Sequence, residues 1–222
     1  MKKYKSLIFD CDGVILNSNQ IKTISFKKAL KDYNKNAVNE FINYHNTNGG
    51  ISRYTKIRFF LEVILPKHKS NINIPENQYE IILKNYSYYC KNYLCKCEVA
   101  KGLEVLRDNT KGISWFIVSG GDQEELRDVF KQKKINHFFD GGIYGSPDSK
   151  DKIIKREVKK KNIVYPALFL GDSKLDHITA KENNMDFIFV TNWTEFKSYK
   201  DYCRMNSLNK ISCIFEINEL FL

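Results

Sequence analysis

Four short stretches of the chain carry side chains able to do chemistry. Asp10-Cys11-Asp12-Gly13 places two carboxylates directly after the apolar run Lys5-Ser6-Leu7-Ile8-Phe9. Gly171-Asp172-Ser173-Lys174-Leu175-Asp176 places two more after Ala167-Leu168-Phe169-Leu170. Carboxylates brought together repel one another unless a cation or a shared proton relieves them. An all-oxygen set of this kind suits Mg²⁺, which keeps waters and phosphate oxygens in its shell. Ser119-Gly120-Gly121 ends a third apolar run and offers a hydroxyl and unhindered backbone N–H groups, a cradle for phosphate. Lys150, 31 residues after Ser119 and 22 before Asp172, supplies a cation. Taken singly, Asp-x-Asp-Gly is a common loop sequence and Lys150 is one lysine among many; their order along the chain gives them weight.

These residues need a frame that brings them to one edge. The apolar runs 5–10, 113–118, 167–170 and 187–190 read as buried strands, each followed by a polar turn. Helical patterns follow the second and third: Leu126, Val129 and Phe130 share a face, as do Leu175 and Ile178, with Asn184 able to close the latter helix in the left-handed conformation. Lys150 sits in a loop opening another helix. Strands alternating with helices imply an α/β fold, a doubly wound parallel sheet whose site lies at the strands' C-terminal ends. Gly13 permits the sharp reversal after the first strand.

One interval breaks the rhythm. Asp10 and Ser119 are 109 residues apart, whereas a strand–helix–strand unit needs about 30 or more. The segment between them lacks strand patterns and carries helix periodicity. Phe26, Ala29, Leu30 and Tyr33 share one face; Tyr54, Ile57, Leu61 and Ile64 share another. Tyr79, Ile82, Leu83, Tyr86, Cys90 and Tyr93 make the longest stripe, with Pro75 near its first turn. An all-helical cap domain over residues 18–98, inserted into a catalytic core of 1–17 and 99–222, accounts for this.

The 222 residues carry a formal charge of +10. Between Ser18 and Cys97 there are thirteen Lys or Arg against five Asp or Glu, a net of +8, and the rest of the chain carries +2. Attraction of a small anionic substrate explains such a segment without nucleic acid, and a lysine-rich composition explains part of it. No run of about 18 apolar residues is present, so no membrane span is expected. The short apolar stretch after Met1 ends at Asp10, too early for an export signal. A cytoplasmic protein with six reduced cysteines follows. Cys95-Lys96-Cys97 with Cys90 has no matching pair to complete a zinc site. Cys11 has Asn17, not arginine, six residues on, and reads as a small apolar spacer rather than a phosphatase thiolate.

The order Asp-x-Asp, Ser, Lys, Gly-Asp-x-x-x-Asp, with the helical insert after the first element, resembles the haloacid dehalogenase superfamily, in particular its phosphatases with a helical cap. The resemblance spans Leu7 to about Val190. It implies a Mg²⁺-dependent phosphomonoesterase in which Asp10 attacks phosphorus and becomes an aspartyl phosphate. Asp12 would then be the general acid and base. Ser119, the Gly120 N–H and Lys150 would bind the transferring phosphoryl group. Asp10, the Asp12 carbonyl and Asp172 would hold the metal. Asp176 is either an outer-shell ligand or the partner of Lys150. The chain has Asn17-Ser18 where relatives often have Asp-Ser at the crossover to the cap. Asn48-Gly49-Gly50-Ile51-Ser52-Arg53-Tyr54 lies where capped relatives place a loop facing the active site. Ser52 reads as a helix N-cap, Arg53 and Tyr54 are expected to touch substrate, and the loop inclines the substrate towards a sugar or polyol phosphate.

Other functions fit less well. A sugar-phosphate mutase of the capped type would want a histidine in the crossover, and residues 14–25 contain none. Dehalogenation has no clear use for Asp12. A phosphorylated receiver domain needs no eighty-residue helical insert and places its aspartate on a later strand. A phosphate-binding protein without turnover has no need of Asp12. Fold and core chemistry specify a small phosphate ester, without saying which, and leave the oligomeric state open, a monomer being one possibility.

Overall fold

The computed structural model describes residues 4–68 and 77–217; Pro75, expected near the start of the longest insertion helix, lies outside them. Six parallel strands form one sheet: β1 (Ser6–Phe9), β2 (Ser114–Asp122), β3 (Gly142–Ser146), β4 (Ala167–Gly171), β5 (Asp186–Val190) and β6 (Asn209–Ile211), in the order β3-β2-β1-β4-β5-β6. Parallel strands need crossovers, supplied here by helices on both faces. Side chains alternate accordingly. Leu7, Phe9, Trp115, Ile117, Leu168 and Leu170 enter one core. Ile8, Phe116, Val118 and Phe169 enter the other, against Ile153, Ile154 and Ala180.

Strand order reverses between β1 and β4. Phe9 is in register with both Ile117 and Leu170, so the residues that follow these three strands meet at one edge. A ligand site at such a switch point is the general expectation for an open α/β sheet.

The four expected strands are present. The edge strands β3 and β6 are additions: the sequence Gly-Ile-Tyr-Gly-Ser of β3 has too few apolar residues to announce itself, and β6 has only three residues. The helices that follow the core strands have good starts. In α7 (Gln123–Gln132) the Asp122 carboxylate caps by accepting the Glu125 N–H at 2.9 Å. In α8 (Lys150–Lys159) Ser149 accepts from Lys152 N–H at 3.2 Å. In α9 (Lys174–Glu182) Ser173 and Asp176 form a reciprocal capping box. Asn184, after α9, has φ of 54°, the left-handed conformation its position calls for.

Between β1 and β2 the chain forms α1 (Asn19–Ala29), α2 (Lys35–Thr47), α3 (Arg53–Phe59), a π-helical turn Phe60–Ile64, α4 (Leu65–Lys67), α5 (Gln78–Leu94) and α6 (Leu103–Asn109). Ser52 caps α3 by accepting the Thr55 N–H at 3.3 Å. Phe26, Phe41, Phe60 and Tyr86 pack edge-on or tilted in the middle of these helices, with Phe26–Tyr86 centroids 4.1 Å apart. Their apolar core is continuous with the one under β1. The last helix, α10 (Tyr199–Met205), precedes β6. Among the described residues no helix is long and apolar enough to cross a membrane.

Candidate active site

Asp10 follows β1, and its N–H donates to Leu170 O at 2.9 Å, which fixes it at the switch point. Its carboxylate is buried. Oδ1 lies 2.7 Å from Lys150 Nζ as an ion pair, yet it accepts no hydrogen bond of good geometry. Lys150, in the first turn of α8, also donates to Asp176 Oδ1 at 2.5 Å. The other Asp176 oxygen accepts the Ser173 N–H at 3.1 Å and the Ser173 hydroxyl at 2.6 Å. Both Asp176 oxygens thus have partners, Lys150 being one of them.

Asp172 follows β4 and is buried. Its Oδ2 accepts from Asn19 Nδ2 at 2.7 Å, and Asn19 also donates to Trp193 O at 2.9 Å. Gly13 must be glycine here: it has φ of 81°, and a Cβ would stand 2.1 Å from Asp172 Oδ2. Carboxylate oxygens of Asp10, Asp172 and Asp176 all lie within 4.8 Å of one another. Burial, together with the neighbouring Asp176 and Asp12 charges, pushes Asp10 up to about 7 against the pull of Lys150. Burial and the charges of Asp10 and Asp176 push Asp172 well above the carboxylate range. Three buried carboxylates thus share one ammonium. A divalent cation between Asp10 and Asp172 would balance the charge and use the unsatisfied Asp10 Oδ1, so the donor set fits Mg²⁺.

Asp12 is held differently. Its Oδ1 accepts the Ser18 hydroxyl at 2.6 Å, and its Oδ2 pairs with Lys22 of α1. Burial raises its pKa, but Lys22 and Ser18 outweigh burial and leave it below the usual carboxylate range. Asn19 and Lys22 were not singled out in the sequence, and Ser18 was noted only as part of the crossover. The signal was there: Asn19 and Lys22, three apart in the first turn of α1, share a helix face, and Ser18 sits at that helix's start.

Within β2, Ser119 is buried and its Oγ accepts the Gly121 N–H at 3.0 Å. Gly120 lies against the insertion: a Cβ there would stand 2.0 Å from Gly50 O. The Gly49-Gly50 loop is also packed on Ser173, whose side chain would lie 3.2 Å from a Cβ at Gly49. Arg53, just beyond, is buried; it donates to Glu125 Oε2 at 3.0 Å, to Ser87 Oγ at 3.1 Å and, more closely, to Glu125 Oε1. Tyr54 Oη donates to Asp122 Oδ2 at 2.6 Å. Arg53 therefore lines the central cavity with its guanidinium engaged, whereas Tyr54 turns its hydroxyl to the start of α7.

That cavity, about 80 Å³, is lined by Asp10, Asp12, Asp172 and Gly120 of the core and by Lys22 and Lys56 of the insertion. Cys11 is wholly buried, and burial pushes its thiol pKa well up, as befits an apolar spacer. Among the described residues the cluster Asp10, Asp172, Asp176 is the one group arranged to hold a metal, and it contains no cysteine.

A sheet with order 3-2-1-4-5-6, carboxylates after its first and fourth strands and a helical insertion over them is the arrangement found in a known class of hydrolases. The chain belongs to the haloacid dehalogenase-like hydrolase family, whose model matches residues 7–190. Solved structures share its fold. A protein from Haemophilus somnus 129pt described as a predicted phosphoglycolate phosphatase superposes with a TM-score of 0.70 or better, at 0.76, with 18% identity over 100% of both chains. A predicted phosphatase from Clostridium acetobutylicum reaches 0.72 at 22% identity, over 98% of this chain and 97% of that one. CbbY from Rhodobacter sphaeroides, in complex with phosphate, reaches 0.69 at 16% identity over 96% of each. No curated protein sequence matches this chain significantly.

Proposed function

We propose that this hydrolase is a Mg²⁺-dependent phosphatase of small phosphate esters, working in the cytoplasm through an aspartyl phosphate on Asp10, with residues 18–98 acting as its cap domain. The observation that carries the proposal is the state of Asp10: a buried carboxylate at the sheet switch point, beside Lys150, with one oxygen accepting no well-formed hydrogen bond. With Oδ1 beside the cation, the carboxylate keeps its second oxygen for attack on phosphorus. The six free thiols suit a reducing compartment.

In the first half-reaction an Asp10 oxygen bonds to phosphorus as the ester P–O bond breaks, and Asp12 gives its proton to the leaving alkoxide. In the second, water attacks the phosphorus, Asp12 takes the water's proton, and phosphate leaves Asp10. The pairing with Lys22 and Ser18 holds Asp12 as the anion, the form the second half requires. For the first half Asp12 must be protonated, which requires Lys22 to release it. Gly120 N–H, Ser119 Oγ–H and Lys150 face the charge that develops on the phosphoryl oxygens. Asp10 and Asp172 would hold the metal with the Asp12 carbonyl; bound there, Mg²⁺ supplies charge neutralisation at the phosphoryl group.

Asp10→Asn tests this. The amide keeps the shape and lacks the anionic oxygen, so phosphate release should fall by about a thousandfold or more with the circular dichroism spectrum unchanged. Retention of a tenth of the wild-type rate would overturn the assignment.

A further inference from the structure

Three cations from the insertion line the cavity: Lys22, Arg53 and Lys56. Lys22 is paired with Asp12, and Arg53 with Glu125. Lys56 of α3 differs. It is 3% exposed, and among the described residues no carboxylate comes within ion-pair distance of it. Its polar contacts are both to His45 of α2: Nζ lies 2.8 Å from Nδ1 and 3.3 Å from the backbone carbonyl. An ammonium has three donors, so one remains for a ligand.

His45 cannot balance the charge. It is buried against the Phe26 ring, with centroids 4.9 Å apart, and burial and Lys56 hold its pKa well below the usual value, so it is neutral. Its ring nitrogen orients Lys56 without compensating it. Glu195, which also lines the cavity, accepts from Thr23 Oγ1 at 3.1 Å and is not within ion-pair distance of Lys56. A buried charge without a partner is costly. Burial and the nearby Lys22 charge press Lys56 down to about 7 against the more distant pull of Asp12 and Glu195. An anion placed beside it would restore the ammonium and remove the cost.

We infer that Lys56, oriented by His45, binds an acidic group on the leaving-group half of the substrate, so that the ester hydrolysed here carries a second anion besides its phosphoryl group. The inference rests on the phosphatase reading above and narrows it. The phosphoryl group occupies the sheet side of the cavity, against Asp10 and Gly120; the second anion occupies the insertion side, against Lys56. Arg53, which the sequence offered for this task, has both terminal nitrogens held by Glu125 and Ser87. A neutral sugar or polyol leaves the Lys56 ammonium unanswered, so the class expected from the loop sequence gives way to esters bearing a carboxylate or a second phosphate.

The test is phosphate release by the full-length wild-type enzyme with Mg²⁺ from phosphoglycolate (carboxylate), fructose bisphosphate (second phosphate), glycerol phosphate (neutral) and phenyl phosphate (generic). At least one acid-bearing ester should exceed both neutral esters in kcat/KM by about tenfold to a hundredfold, the worth of a charged hydrogen bond. Which acid-bearing ester wins identifies the source of the anion. Lys56→Met should bring that ratio close to one, and Lys56→Arg should restore part of it, which a merely structural lysine would not do. Hydrolysis of glycerol phosphate and phenyl phosphate as efficient as that of the acid-bearing esters overturns the inference and leaves the phosphatase standing. Failure of the wild-type enzyme on every ester overturns both. A Lys56→Met ratio equal to wild type overturns the assignment to Lys56.

Discussion

Arg53 of α3 and Glu125 of α7 form a two-pronged ion pair, 72 residues apart in the chain, that ties the insertion to the helix after β2. Both side chains are almost fully buried, and the Arg53 guanidinium also lies over the Tyr86 ring, 4.7 Å from its centroid. Tyr54 repeats the connection one residue later, to Asp122.

Removing one partner of such a pair leaves the other buried and unpaired, at a typical cost of about 3–5 kcal/mol. Arg53→Met and Glu125→Gln should each destabilise the protein in urea unfolding. The double variant should lose less than the sum of the two, with a coupling of more than about 1 kcal/mol. Additive losses would mean the pair contributes nothing as a pair.

Gly120→Ala should disturb the seat of the insertion on the sheet. The added Cβ would lie 2.0 Å from Gly50 O, and both are held by backbone, so the loop must move away. Displacement of about 1 Å near reacting groups costs about a hundredfold. The expected outcome is a fall of that order in kcat/KM with little change in melting temperature; wild-type kinetics would contradict the close seating.

Metal dependence should be absolute, and Ca²⁺ should substitute poorly because it accepts longer bonds and more ligands than a compact octahedral site offers. Exhaustive chelation should abolish phosphate release. Asp172→Asn should raise the Mg²⁺ concentration for half-maximal activity by at least about tenfold. Mg²⁺ should also raise the melting temperature of the wild-type protein, by binding the native state alone, and should fail to do so in Asp172→Asn.

Lys56 should leave a signature in the pH dependence of stability. Its pKa is near 7 in the folded protein and about 10.4 when unfolded. Between these values the unfolded chain binds more protons, so this group's contribution to stability improves as pH rises. Its penalty is fully present below about 7 and gone above about 10. The stability advantage of Lys56→Met over wild type should therefore shrink between pH 7 and pH 9.5 by at least about 1 kcal/mol. A constant difference would place Lys56 in contact with water or with an acid.

Much of the site was legible in the residues because its signals are local. Asp10 and Asp172 each follow a run of consecutive buried apolar residues, and in a parallel sheet such runs end at one edge. Ser52 announces a helix start, and Asn184 a left-handed stop, through interactions within a few residues. The edge strands β3 and β6 were not legible, since Gly142–Ser146 and Asn209–Ile211 owe their extension to pairing with β2 and β5 rather than to their own side chains. The fates of the cations were likewise beyond the sequence. Lys22, Arg53 and Lys56 look alike as basic residues on helices, and only packing decided that Lys22 meets Asp12, that Arg53 meets Glu125, and that Lys56 is buried beside His45 with no acid. Apolar periodicity fixes which face of a helix turns inward; which charge meets which partner depends on contacts between segments distant in sequence, and those exist only once the insertion is seated on the sheet.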